Sequence, residues 1–158
     1  LVKDHYSNDF IPDEGQILTL TFNDAFNEPV ELIEINKEDP ELLRVMAYNT
    51  FTNGLKDNDR IDKFIRIINT INPQIIGFNE TGQTSEQDVN DILGNALGGD
   101  WYILKHDPEN ITASRFPIIG SWDVHNKIKA SLIDLDDTDL YMLFIVGHLS
   151  CCGGDNSR

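Results

Sequence analysis

The stretches LRVMAYNT, residues 43–50, and INPQIIGFNET, residues 71–81, decide the fold together with the segment that separates them. Each carries a short, nearly continuous apolar run of the kind a buried strand needs. Between them, DRIDKFIRIINTI (residues 59–71) places Ile61, Phe64, Ile65, Ile68 and Ile71 on one face at spacings of three and four, the mark of an amphipathic helix. Strand, helix and strand within residues 43–80 make a βαβ unit, whose strands run parallel through a right-handed crossover. Their C-terminal ends then share one sheet edge, where α/β folds place their ligands. Asn49 ends the first strand and Glu80 the second, so an amide and a carboxylate are expected side by side.

Downstream, Ser85 followed by Asp88 is a capping-box variant that announces a second helix. Val89, Ile92, Leu93, Ala96 and Leu97 form its apolar stripe, and Gly98-Gly99 stops it. The chain then turns to strand in DWYILKH, NITASRF, IIGSWDV, IKASLIDL and LYMLFIVGH, with Asp136-Asp137-Thr138-Asp139 as the turn of a final hairpin. Upstream, residues 1–40 differ. GQILTLTFNDAF and EPVELIEI alternate like two exposed-edge strands divided by Asn27, Glu28 and Pro29, and DFIPDEG reads as a solvated loop. This segment is a β-rich lead-in or the tail of a preceding domain, and residues 41–158 form the main domain.

At 158 residues with 40% apolar content, the chain suits one domain with a real core. It contains no run of eighteen apolar residues and no signal-peptide pattern in residues 1–10, so no membrane span is expected. A start at Leu1 is expected of a processed or cut piece. The net charge of -15, from 27 acidic against 12 basic residues, is spread along the chain and disfavours a sequence-independent grip on phosphate backbones. A polyanionic substrate would need a bound cation. Cys151 and Cys152 are adjacent, so a bridge between them is strained and two thiols are too few for a zinc cage; His148, three residues before Cys151, keeps a metal site as the alternative to a plain loop.

His148 follows the apolar strand ending at Gly147 and joins Asn49 and Glu80 if that strand is parallel to the first pair. Taken singly, Asn49 reads as a strand-end residue bonding its turn, Glu80 as a solvated acid and His148 as a structural histidine. Their shared position, each after a strand and before a polar loop, favours a site for a hard cation and a phosphate.

LRVMAYNT, INPQIIGFNET, ITASRFPIIG and LFIVGHLSCCGGDNSR, in this order, resemble the successive motifs of the endonuclease/exonuclease/phosphatase superfamily, the fold of pancreatic deoxyribonuclease. The resemblance covers roughly residues 42–158. It implies an α/β (α+β) fold, half of a four-layer α/β sandwich with a mixed sheet and flanking helices. It further implies a phosphoester, mostly phosphodiester, hydrolase using Mg2+, or Mn2+ or Ca2+. Glu80 becomes the metal-ligating glutamate, Asn49 the residue arranging metal and phosphate, and His148 the contact to the scissile phosphate. Arg115, in SRFP, either meets a phosphate or serves the turn. The substrate stays open among nucleic acid, a phospholipid headgroup and a sugar phosphate. HLSCCGG leans toward bacterial members, many of them secreted. The family's aspartate-asparagine and aspartate-histidine pairs have no match here, so the chain is expected to be the N-terminal half of a longer protein, inactive alone. Half a fold is expected to leave one sheet's inner face exposed, to be covered by the missing half or a second chain. The alternative is a non-catalytic, family-like binding module.

Overall fold

A computed structural model of the chain describes residues 35, 37, 39–106, 109–135 and 139–148. The strands expected before residue 35, the residues 136–138 of the final turn and the two cysteines lie outside the described residues.

The first part is the expected βαβ unit. Strand β1 (Val45–Asn49) pairs in parallel with β2 (Ile75–Asn79), in a register that sets Val45 opposite Ile75 and Asn49 opposite Asn79. Helix α1 (Ile61–Ile71) makes the crossover. It buries Phe64 and Ile68, with Ile61, Ile65 and Ile71 packed at the margin, so the apolar face read from the spacing is the face that packs. Asn72 closes α1 in the left-handed conformation (φ 49°), and Pro73 bars any continuation of the helix.

Helix α2 (Glu86–Leu97) starts in a complete capping box. Ser85 Oγ accepts the Asp88 N–H at 3.1 Å and Asp88 Oδ2 accepts the Ser85 N–H at 2.7 Å. Donation to Asp88 Oδ2 from the Ser85 hydroxyl, at 2.7 Å, and from the Ser85 N–H holds the Asp88 carboxyl below the usual carboxylate range. Strands β3 (Tyr102–Lys105) and β4 (Asn110–Ser114) complete a mixed sheet of order β1-β2-β4-β3, with β4 antiparallel to both neighbours. Strand alternation sends Met46, Ile76, Phe78, Ile111 and Ala113 to one face, where they meet Phe64, Ile68, Val89, Ile92, Leu93 and Ala96 of the helices.

Strands β5 (Ile118–His125), β6 (Ile128–Asp134) and β7 (Tyr141–Gly147) form a separate antiparallel sheet. The condition set for His148, a last strand parallel to β1 and β2, is therefore not met, since β7 belongs to the other sheet. Both sides of β2 are already occupied, by β1 and β4, so β7 reaches it only from above. The second sheet covers the face of the first that the helices leave free. Gly77 of β2 lies against Phe144 and Val146 of β7, and Thr112 of β4 meets Ser131 of β6 at 3.4 Å. His106 Nε2 stands 3.1 Å from both hydroxyls and closes a polar seam between the sheets.

The inner faces therefore cover each other, and among the described residues an apolar patch is exposed on the outer face of the second sheet. There Trp122, Ala130 and Ile145 share one row and Gly120, Leu132 and Leu143 the next, with Trp122, Leu143 and Ile145 all more than half exposed. The fold is mixed α/β, mostly strand. Among the described residues no helix is long and apolar enough to cross a membrane.

The inter-sheet contact at Gly77 is tight enough to test. A Cβ added there would stand 3.0 Å from the Phe144 ring and 3.2 Å from Val146. Gly77→Ala is expected to lower unfolding free energy by about 1–3 kcal/mol, and Phe144→Leu in the same chain to recover part of it, measured by urea denaturation.

Candidate functional site

Parallel pairing brings Asn49 and Glu80 to one edge, as the sequence implied. Asn49 Nδ2 donates to Glu80 Oε1 at 2.9 Å, while its Oδ1 accepts the Phe51 N–H at 2.8 Å. Both ends of the amide are thereby fixed. Glu80 Oε2 accepts the Thr52 N–H at 3.0 Å.

The backbone around these bonds is held in a sparsely populated region. Glu80 has φ 55°, and Phe51, Thr52 and Asn53 follow one another at 48°, 50° and 59°. Such conformations cost about 1–3 kcal/mol each for residues other than glycine, most for a β-branched one such as Thr52. They persist because the surroundings over-determine them. Arg60 donates to the carbonyls of Phe51 (2.9 Å) and Thr50 (2.7 Å), and the Asn53 N–H donates to the Glu80 carbonyl at 3.0 Å. Gly82, itself at φ 49°, lies so close to the Asn53 side chain that no Cβ fits there.

His148 arrives from the facing sheet, at the end of β7. Its Nε2 lies 3.2 Å from Glu80 Oε1 and its Nδ1 3.2 Å from Glu109 Oε2. Its own N–H donates to the Lys127 carbonyl at 2.9 Å, an oxygen that also accepts Asn110 Nδ2 at 3.3 Å. Asn110 in turn accepts Asn79 Nδ2 at 2.8 Å. The histidine is thus tied to the β5–β6 turn, to the start of β4 and to the end of β2. Glu109 escaped the sequence reading because it sits between strands in no motif. The signal available was topological: β4 runs antiparallel to β2, so the residue just before β4 lies at the edge where β2 ends.

Arg115 is not part of this cluster. Its N–H pairs with the Gln74 carbonyl, at the opposite end of β2 from Glu80 and about 15–20 Å away by strand rise. Its guanidinium donates to the carbonyls of Asp100 and Leu97, both at 3.2 Å, and stacks 4.1 Å from the centre of the Trp101 ring. Of its two expected roles the structural one is in place: it satisfies the carbonyl end of α2 and covers Trp101.

Glu80 is held below the usual carboxylate range, first by the Asn49 amide, which outweighs the opposing effect of burial, and further by the Thr52 N–H and His148. Its side chain is 23% exposed, and that of His148 25%. A carboxylate offers about four lone-pair directions. Three donors, from Asn49, Thr52 and His148, occupy Glu80 among the described residues, leaving room on Oε2 for one hard cation held through a single oxygen. No group of three or more His, Cys, Asp or Glu side chains gathers as a metal cage among the described residues. The donor set fits magnesium only in its sparse mode, one carboxylate plus substrate phosphate. In comparison with known proteins, no family model and no curated protein matches the chain.

The lowered Glu80 pKa fixes a sign. A carboxyl with a lowered folded pKa contributes stability above its ordinary value, near 4.5, and loses it as pH falls through the folded value. Stability is therefore expected to decline below about pH 4.5, and Glu80→Gln to flatten that part of the curve, measured as denaturation midpoint against pH.

Proposed function

We propose that this chain carries one part of the active site of a metal-dependent phosphoester hydrolase, acting on phosphodiesters. The observation that supports the reading is the meeting of Asn49, Glu80 and His148 at one edge, from three strand ends on two sheets. The four motifs that resemble the endonuclease/exonuclease/phosphatase superfamily, three of which carry these residues, support it too, and with them the four-layer sandwich, whose fourth layer would cover the exposed face carrying Trp122, Leu143 and Ile145.

When bound, a magnesium ion supplies Lewis-acid stabilisation of a phosphoryl oxygen. Glu80 would hold it by its carboxylate. Asn49 keeps the Glu80 carboxylate in one plane and stops it from rotating. Glu109 engages Nδ1 of His148, so Nε2 is the nitrogen turned toward the Glu80 edge. A doubly protonated His148 would there turn its Nε2–H from Glu80 Oε1 to an oxygen of the scissile phosphate as negative charge develops on it. Further acids and the base that activates water would, on this reading, come from residues other than those described. The chain alone then binds metal weakly and turns nothing over.

The test is turnover of a phosphodiester panel with Mg2+ in the longer protein. Glu80→Gln is expected to lower turnover about a hundredfold or more with the fold intact. Undiminished turnover in that variant overturns the assignment of Glu80 and favours the non-catalytic binding module.

A further inference from the structure

Phe51 is 70% exposed, the highest exposure of any large apolar side chain among the described residues. An exposed phenylalanine is ordinary by itself. This one is built in. Its N–H is bound by Asn49 and its carbonyl by Arg60, while the next N–H, from Thr52, is bound by Glu80. Its backbone is kept in the left-handed region by those contacts. The ring is thus carried, without freedom in its main chain, one residue from the carboxylate of the candidate site.

Beneath it lies an ordered series of groups. The Arg60 guanidinium stands 5.7 Å from the centre of the Phe51 ring and 5.4 Å from that of Phe64, which is buried in the core under α1. A buried ring, a cation within contact range of it and an exposed ring run outward from the core. Arg60 is fixed by its bonds to the carbonyls of Thr50 and Phe51, so the outermost ring rests on a rigid support. An exposed ring on a backbone held by the residues of the candidate site suits a planar group on the substrate.

We infer that Phe51 is a stacking platform for a nucleobase carried by the phosphodiester, which makes the substrate a single-stranded nucleic acid or a dinucleotide. The inference rests on the hydrolase reading of the site and names its substrate class. The net charge of -15 works against a grip on a phosphate backbone by cationic side chains, so the affinity has to come from the base on Phe51 and from a bound cation. A base must be unpaired to offer its face, so duplex is the poorer ligand.

The experiment is titration of this chain, in Mg2+, into a dinucleotide containing 2-aminopurine with a phosphorothioate link, followed by quenching of the base. Wild type and Phe51→Trp are expected to quench alike. Phe51→Ala and Phe51→Leu are expected to bind about tenfold or more weakly with unchanged melting temperature. An unlabelled dinucleotide should compete and its abasic counterpart should not. Equal binding by the Leu variant, or competition by the abasic compound, overturns the stacking role. Failure of the hydrolase reading is separately visible: Glu80→Gln then leaves turnover in the longer protein untouched while the Phe51 variants still lose the base.

Discussion

The parallel register of β1 on β2 is the constraint from which the rest of the arrangement follows. Helix α1 returns the chain so that Asn49 stands opposite Asn79, and the next residue, Glu80, is then within 2.9 Å of the Asn49 amide. A shift of one residue in this ladder would turn every side chain to the other face. It would expose Ile76 and Phe78 and take Glu80 away from both Asn49 and Thr52. The packing of α1 and α2 on Met46, Ile76 and Phe78 therefore secures the site as well as the core.

A second constraint acts across the sheets. Gly77 has no side chain, and Phe144 and Val146 fill the space it leaves. That close approach sets the height of β7 above β2 and so the point where His148 emerges. The polar seam of His106, Thr112 and Ser131 serves the same alignment nearer β3, since its bonds are satisfied only when the sheets are in register. Strain is concentrated at the edge these contacts define. Phe51, Thr52, Asn53 and Glu80 are all left-handed, and each is held by a bond to a neighbouring loop or strand end. Energy stored in backbone conformation at a convergence of polar groups is a recurrent property of functional sites.

Much of this was legible in the residues. The helical spacing of Ile61, Phe64 and Ile68 named the face of α1 that is buried, and Ser85 with Asp88 named the start of α2. The βαβ connection alone sufficed to bring Asn49 and Glu80 together, because a short crossover permits only one direction and one hand. The place of His148 was legible only in part. Its strand was evident, but periodicity carries no record of which sheet a strand joins. Arg115 shows the same limit: SRFP marks a turn beside a strand, and the direction of β4 decides that this turn lies at the far end from Glu80.

By itself the sequence determined the local elements, their order, the parallel pair and the meeting of an amide with a carboxylate. These depend on contacts between near neighbours and on the handedness of a single connection. Tertiary structure alone decided that the last three strands form a facing sheet, that His148 enters from it between Glu80 and Glu109, and that the outer face bearing Trp122, Leu143 and Ile145 is the one left uncovered. The physical reason is that sheet membership is settled by which backbone edges and apolar faces remain free once the first elements have packed, and no short-range pattern of residues encodes that.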